Sequence, residues 1–249
     1  MADQIKVMGM VISSSPIGEN DKRIVLLTKE KGKISAFARG ARRPGNRLMA
    51  ASDSFAFGAF YLIAGRDSYT VVNAEISNYF RELAGDVAMT YTAYYFVELA
   101  GYFAVENQDG SQFLNLIYAA FKAMLGGRIE LALVRCVFEL KLLVLNGEYP
   151  DFFACRSCGA NEELNGFSIA GNGVFCSGCR NTAKDVIDIC GSTLYTLQYI
   201  VCTEIGKLFS FTVSPEVLTE LRMVLRRCMD AYVDRHMNSL DILDGLLPS

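Results

Sequence analysis

Two Cys-x-x-Cys pairs, Cys155-Arg156-Ser157-Cys158 and Cys176-Ser177-Gly178-Cys179, stand seventeen residues apart in this sequence. Thiolates two residues apart reach one ion only if the chain turns tightly around them, and Gly159 and Gly178 supply that freedom. Between the pairs, Phe167–Ala170 and Val174–Phe175 flank Gly171-Asn172-Gly173, the pattern of a hairpin joining the two halves of a zinc ribbon. Four sulfur ligands leave no position open for water, so the spacing predicts one structural Zn2+ held by Cys155, Cys158, Cys176 and Cys179. A redox-active pair, free thiols or an iron site of the same shape are the alternatives. Cys136, Cys190, Cys202 and Cys228 are isolated in apolar or helical surroundings and are expected to be small buried hydrophobes.

The second signal is cationic. The net charge of −3 divides unevenly, because residues 1–80 hold 11 lysines and arginines against 7 acids. Lys22–Arg47 contains nine basic residues and one acidic one, Glu30. Within it, Arg39-Gly40-Ala41-Arg42-Arg43-Pro44-Gly45-Asn46-Arg47 is kept from being helical by Gly40, Pro44 and Gly45 and should form an exposed loop. Guanidinium forks suit phosphate, and a local basic stripe on a mildly acidic chain points to an anionic partner. Phe37, Phe55, Phe57, Phe60 and Tyr61 could supply stacking surfaces, although some must fill a core. A merely solubilising surface is the bland alternative.

Several chemistries are disfavoured. The single histidine, His236, reads as a solvated or helix-terminal residue, which leaves little room for serine-triad or histidine-based hydrolysis. There is no Gly-x-x-x-x-Gly-Lys-Ser/Thr, Gly-x-Gly-x-x-Gly or His-Glu-x-x-His motif, so no enzymatic activity is expected. The start of the chain does not resemble a targeting segment, and the richest apolar stretch, Ile129 to Leu145, is interrupted by charges. A cytoplasmic protein with no membrane partner is the expectation, and reduced thiols follow from it.

The elements that must position these groups fall into an α+β, multidomain order. Ile5–Ile12, Ile24–Thr28, Lys33–Arg39, Phe55–Ile63 and Tyr69–Ile76 read as strands, separated by turns that include Gly65-Arg66-Asp67-Ser68. Five short strands suit a small closed barrel, of OB type first and SH3-like second. Helices are expected over Asp86–Val105, Ser111–Leu125 and Ile129–Asn146, the last as the buried centre of a bundle. Two more follow the cysteines: Ser192–Phe209, capped by Ser192, and one opened by Ser214-Pro215-Glu216. The tail from Ser239 is expected to be irregular, packing back through Leu240, Ile242, Leu243 and Leu246. The domains so defined are 1–80, an OB-fold nucleic-acid-binding barrel; 81–150 with 184–249, an α-helical domain; and 151–183, an inserted zinc ribbon.

Taken together, the N-terminal barrel, the Lys31-Gly32-Lys33 hairpin, the Ala38-Arg39-Gly40-Ala41-Arg42-Arg43 run and the cysteine insert after a long central helix resemble the bacterial recombination mediator family RecO. The likeness covers nearly the whole chain, in the zinc-bearing branch of the family. It implies binding of single- and double-stranded DNA, ATP-independent annealing of complementary strands, and work with RecR to load RecA onto DNA coated by single-stranded DNA-binding protein (SSB). It carries the DNA-binding role onto Arg39, Arg42 and Arg43, and with less specificity onto Lys31, Lys33 and Arg47. It also implies binding of the acidic C-terminal tail of SSB by the helical domain. Arg128 and Arg135 are candidates there on spacing and charge, with ordinary helix-surface charges as the alternative. An RNA- or ribosome-associated zinc protein is the competing function, and a thiol-disulfide oxidoreductase the third.

Overall fold

The computed structural model describes residues 4–66 and 68–246. Asp67 of the turn expected after the fourth strand, and the last three residues of the tail, lie outside it, as does the side chain of Leu246. The described chain divides into two compact units, one reaching to Phe121 and regaining the segment from Met237, the other spanning Lys122–His236.

The first unit is built on strands β1 (Gln4–Ile17), β2 (Asp21–Thr28), β3 (Gly32–Ala38), β4 (Phe57–Ala64) and β5 (Tyr69–Asn78). They close into a barrel of order β1-β2-β3-β5-β4, the OB arrangement. Alternation explains the closure: Val7, Ile24, Leu26, Ile34, Phe60, Leu62 and Val71 point inward and are buried, while their strand neighbours face out. Phe60 therefore fills the barrel and is lost to any partner. The last seam, β3 with β5, is parallel and consists of Ala36 against Tyr69 and Phe37 against Thr70. A short helix α1 (Leu48–Ala51) follows the basic loop.

Helix α2 (Val87–Phe103) begins where the Asp86 side chain accepts from the Met89 amide at 2.7 Å. The chain then returns to the barrel, where the Asn107 amide donates to the Lys31 carbonyl at 2.9 Å and that of Gly110 to the Lys29 carbonyl at 3.1 Å. This seat explains Gly32, whose φ is +60° and whose missing Cβ would lie 2.0 Å from the Val105 carbonyl oxygen. Gly32→Ala is expected to cost about 2–3 kcal/mol in urea unfolding, from left-handed strain plus the backbone clash. Helix α3 (Ser111–Gly126) comes next.

The tail differs from expectation. Residues Asn238–Leu246 form a helix, α8, rather than an irregular segment. Its Ser239 amide and hydroxyl both donate to the Glu98 carboxylate on α2, and Leu243 is fully buried. That anchor supplies the order the sequence did not suggest.

In the second unit, α4 (Leu131–Asn146) is buried along most of its length, as its apolar run predicts. Its two buried charges are both satisfied. Arg135 Nε meets Glu139 Oε1 at 2.8 Å, and Lys141 Nζ donates to the carbonyls of Ile200, Val201 and Thr203 at 3.3, 3.0 and 2.7 Å. Those carbonyls end helix α5 (Gly191–Cys202), so the single helix expected over Ser192–Phe209 breaks at extended Thr203 and resumes as α6 (Ile205–Leu208). The ammonium acts as a C-cap from another helix. Ser192 is not the cap of α5; Cys190 holds that position, its amide donating to Glu220 Oε2. Helix α7 (Pro215–Tyr232) starts as read, with Ser214 Oγ accepting from the Val217 amide and Pro215 in the first turn. Among the described residues no helix is long and apolar enough to cross a membrane.

Candidate metal centre and nucleic-acid interface

The first cysteine pair precedes a small sheet of order β7-β6-β8, formed by β6 (Leu164–Ser168), β7 (Gly173–Cys176) and β8 (Ile187–Asp188), and the second begins at the last residue of β7. The third strand was not foreseen, and at two residues it carries no periodicity to read. Each pair lies in a tight turn: the Gly159 amide donates to the Cys155 carbonyl at 2.9 Å, and that of Cys179 to the Cys176 carbonyl at 3.0 Å. The result is four Sγ atoms all within 4.8 Å of one another.

This geometry fits one tetrahedral ion. Metal–sulfur bonds of about 2.3 Å place sulfurs at the corners of a tetrahedron about 3.8 Å apart, and Cys158 Sγ and Cys176 Sγ lie 3.8 Å apart. The local electrostatics agree. Burial works to raise the Cys155 thiol, but the amides of Cys176, Cys158 and Ser157 outweigh it and bring it down to about 6. At Cys179 the Ser157 hydroxyl favours the thiolate, yet the Cys158 and Cys176 sulfurs push it up to about 11. Crowded sulfurs cannot all ionise unless a cation lies among them. Outside the cluster, Cys136 and Cys228 are buried as expected and their thiols are pushed far up by desolvation. Cys190 and Cys202 correct the expectation: both are exposed.

The ribbon is fastened to its own unit rather than held out as a separate surface. Arg227 on α7 pairs with Asp185, the Tyr232 hydroxyl meets Asn172, and Gln198 on α5 donates to the Phe152 carbonyl at 2.7 Å. Its arginines are matched by acids, Arg156 with Asp151 and Arg180 with Asp188. That pairing leaves the ribbon a poor match for a polyanion.

The basic loop is the opposite case. It is pinned by its backbone: the Arg42 amide donates to the Asn20 carbonyl at 2.9 Å and the Gly40 amide to Asp21 Oδ1 at 2.7 Å. Ala41 plugs the barrel end and is fully buried. Such anchoring turns Arg39, Arg42 and Arg43 outward, and all three are exposed. Arg42 uses Nη1 on the Gly18 carbonyl at 3.1 Å, and Arg47 ties the loop to β5 through the Val72 carbonyl at 2.6 Å. The side chains of Arg39 and Arg43 meet no hydrogen-bonding or ionic partner among the described residues. Of the acids near the loop, Asp21 is engaged by the Gly40 amide and Asp53 by Lys22 at 2.6 Å, while Glu19 stands exposed between the two residues that Arg42 contacts.

The six basic residues read from the sequence do not form one patch. Lys31 and Lys33 lie at one end of β3 and Arg39 at the other, about 20 Å away at a rise of about 3.3 Å per residue. Lys33 Nζ donates to the Gly101 carbonyl near the end of α2 at 2.5 Å, a structural task. Lys22 and Arg23 pair across β2–β3 with Ala38 and Phe37 beside Arg39; Lys22 is ion-paired to Asp53 at 2.6 Å, which leaves exposed Arg23 as the further cation at that end. Sequence charge alone drew attention to both ends equally; only the strand register separates them. Of the helical-unit arginines, Arg128 is exposed in the turn before α4, whereas Arg135 is held by Glu139.

Comparison with known proteins follows the same two parts. The family model described as Recombination protein O N terminal matches residues 1–80, and that for the C terminal matches 84–241. Among curated relatives, the DNA repair protein RecO of Acetivibrio thermocellus is 34% identical over 247 residues, covering 97% of each chain. That of Alkaliphilus metalliredigens is 32% identical, covering 96% of this chain and 98% of its own. The protein of the same description from Symbiobacterium thermophilum is also 32% identical, over 96% of both.

Proposed function

From the premise that this chain belongs to the RecO family of DNA repair proteins, we propose that it is a recombination mediator that binds DNA through the Arg39–Arg47 loop of its barrel. In this reading it anneals complementary single strands without ATP and, with RecR, helps load RecA onto SSB-coated DNA. It carries out no covalent chemistry. It works in the cytoplasm, on the nucleoid when DNA is exposed. The functional parts are the barrel of 1–80, the helical domain of 81–150 with 184–249, and the insert of 151–183.

One observation carries the proposal: Arg39 and Arg43 stand exposed on a loop whose backbone is fixed, their side chains without a hydrogen-bonding or ionic partner among the described residues. A fixed loop loses little freedom on binding, and unpaired guanidinium groups lose no internal partner when they meet phosphate. Arg42 and Arg47 would join with their remaining donors, and Lys31 would extend the contact. Lys33 is given to the helix instead.

The four sulfurs would hold Zn2+, which closes the ribbon and stiffens the unit around α5 and α7. The acidic tail of SSB is proposed to meet the helical domain through Arg128, with Arg135 contributing only if Glu139 releases it. An RNA-associated role would use the same loop. Competition on the full chain between a single DNA strand and a structured RNA of equal charge separates the two: the mediator reading expects the DNA to win, and preference for the RNA would overturn it.

A further inference from the structure

Beside the Arg39 end of the barrel the first unit has a cleft of about 540 Å3 that includes Arg42 and Lys22 in its lining. Its size falls within the roughly 300–1,000 Å3 of small-ligand sites, and its lining joins cations to aromatic rings. The Arg81 guanidinium lies 4.9 Å from the centre of the Tyr79 ring, which leaves its N–H edge available to an anion. The Lys22 ammonium is balanced by Asp53, also in the lining.

The aromatic side is unusually constrained. Phe55 and Phe80 both line the cleft, and both have left-handed backbones, with φ of 72° and 49°. Bulky residues rarely adopt that conformation, and it persists only where surrounding packing enforces it. Here both rings are buried against Phe121, at 5.3 and 5.1 Å between centroids. Tyr94 lies on this floor, 4.8 Å from Phe55, and is 39% exposed. A rigid floor under a half-free ring, with guanidinium groups at the side, matches a flat heteroaromatic ring that carries phosphate.

We propose that this cleft receives one unstacked base of a DNA strand, Tyr94 stacking on the base while Arg42 and Arg81 take the flanking phosphates. The inference rests on the DNA-binding reading above and extends it, because Arg42 belongs both to the basic loop and to the cleft. A duplex keeps its bases stacked and cannot fill the site, so the cleft favours single strands. A free nucleotide shares this chemistry and is the other possible source of the ligand.

The test measures salt-dependent affinity of the full chain for oligothymidylate and for an abasic strand of the same length. Tyr94→Ala is expected to weaken oligothymidylate binding about tenfold, with the salt slope unchanged, and to make no difference on the abasic strand. Tyr94→Phe should restore binding, and Arg81→Ala should lower the slope by about 0.7 on both strands. Excess thymidine 5′-monophosphate should compete for the Tyr94-dependent part of the affinity. An equal Tyr94→Ala effect on both strands, no effect on either, or mononucleotide binding that does not compete with the strand would overturn the inference. Failure of the wild type to bind any strand would remove the DNA-binding reading as well; normal strand binding without a Tyr94 effect removes the cleft alone.

Discussion

Replacing Cys176 by serine in the full chain will abolish the bound metal and melt the ribbon. The wild type is expected to hold one zinc per chain and the variant essentially none. A structural four-sulfur site contributes on the order of 10 kcal/mol to the segment that it closes. The segment's own core is small: the sheet is three short strands, and Phe152 stacks on Phe167 at 6.0 Å with Leu164, Val174 and Phe175 also buried. The loss should travel to the helices it touches, through Arg227, Tyr232 and Gln198. The unfolding midpoint of the second unit should therefore fall by more than about 10 °C. Cys202→Ser is the control, since that thiol is exposed and outside the cluster, and it should change neither zinc content nor midpoint. Zinc content and midpoint that survive Cys176→Ser would contradict the metal assignment.

The second large effect is expected at the basic loop. On the proposed reading, alanine at Arg39, Arg42 and Arg43 together removes three phosphate contacts. At about 0.7 per contact for a single strand, the slope of log affinity against log salt should become shallower by about 2. At low salt the affinity should drop on the order of a hundredfold. Stability should barely change, because among the described residues the Arg39 and Arg43 side chains have no partner to lose, Arg42 loses one exposed bond to the Gly18 carbonyl, and Ala41 still plugs the barrel. Lys33→Ala should behave in reverse. It takes away the donor to the Gly101 carbonyl, so it should lower the unfolding midpoint and leave the salt slope alone. A triple-arginine variant with the wild-type slope would move the DNA site off this loop.

Much of this was legible in the sequence because it is local. Inward alternation marked the five strands, and the Cys-x-x-Cys spacing with its glycines marked the ribbon. Ser214-Pro215 marked the start of α7. What stayed hidden depends on contacts distant in the chain. The parallel β3–β5 seam that closes the barrel involves Ala36 with Tyr69 and Phe37 with Thr70, too short a pairing to leave a pattern. Thr203 interrupts a helix because Lys141, some sixty residues earlier, takes the carbonyls at the break. The helical tail depends on Glu98 receiving Ser239. For the same reason the charge run could be counted but not divided: that Lys33 faces a helix end and Lys22 adjoins Arg39 is a matter of register. Arg81 and Tyr94 carried no signal at all, being a single cation after a strand and one ring of an aromatic helix.

The most direct measurement of the central claim is ATP-free annealing of two complementary single strands coated with SSB, across a salt series, by the wild type and the Arg39/Arg42/Arg43→Ala variant. Rapid annealing by the wild type that declines steeply with salt and is lost in the variant is the predicted result. Wild-type protein that neither anneals the strands nor binds single-stranded DNA at low salt would contradict the mediator role and leave the metal centre as the only function the structure supports.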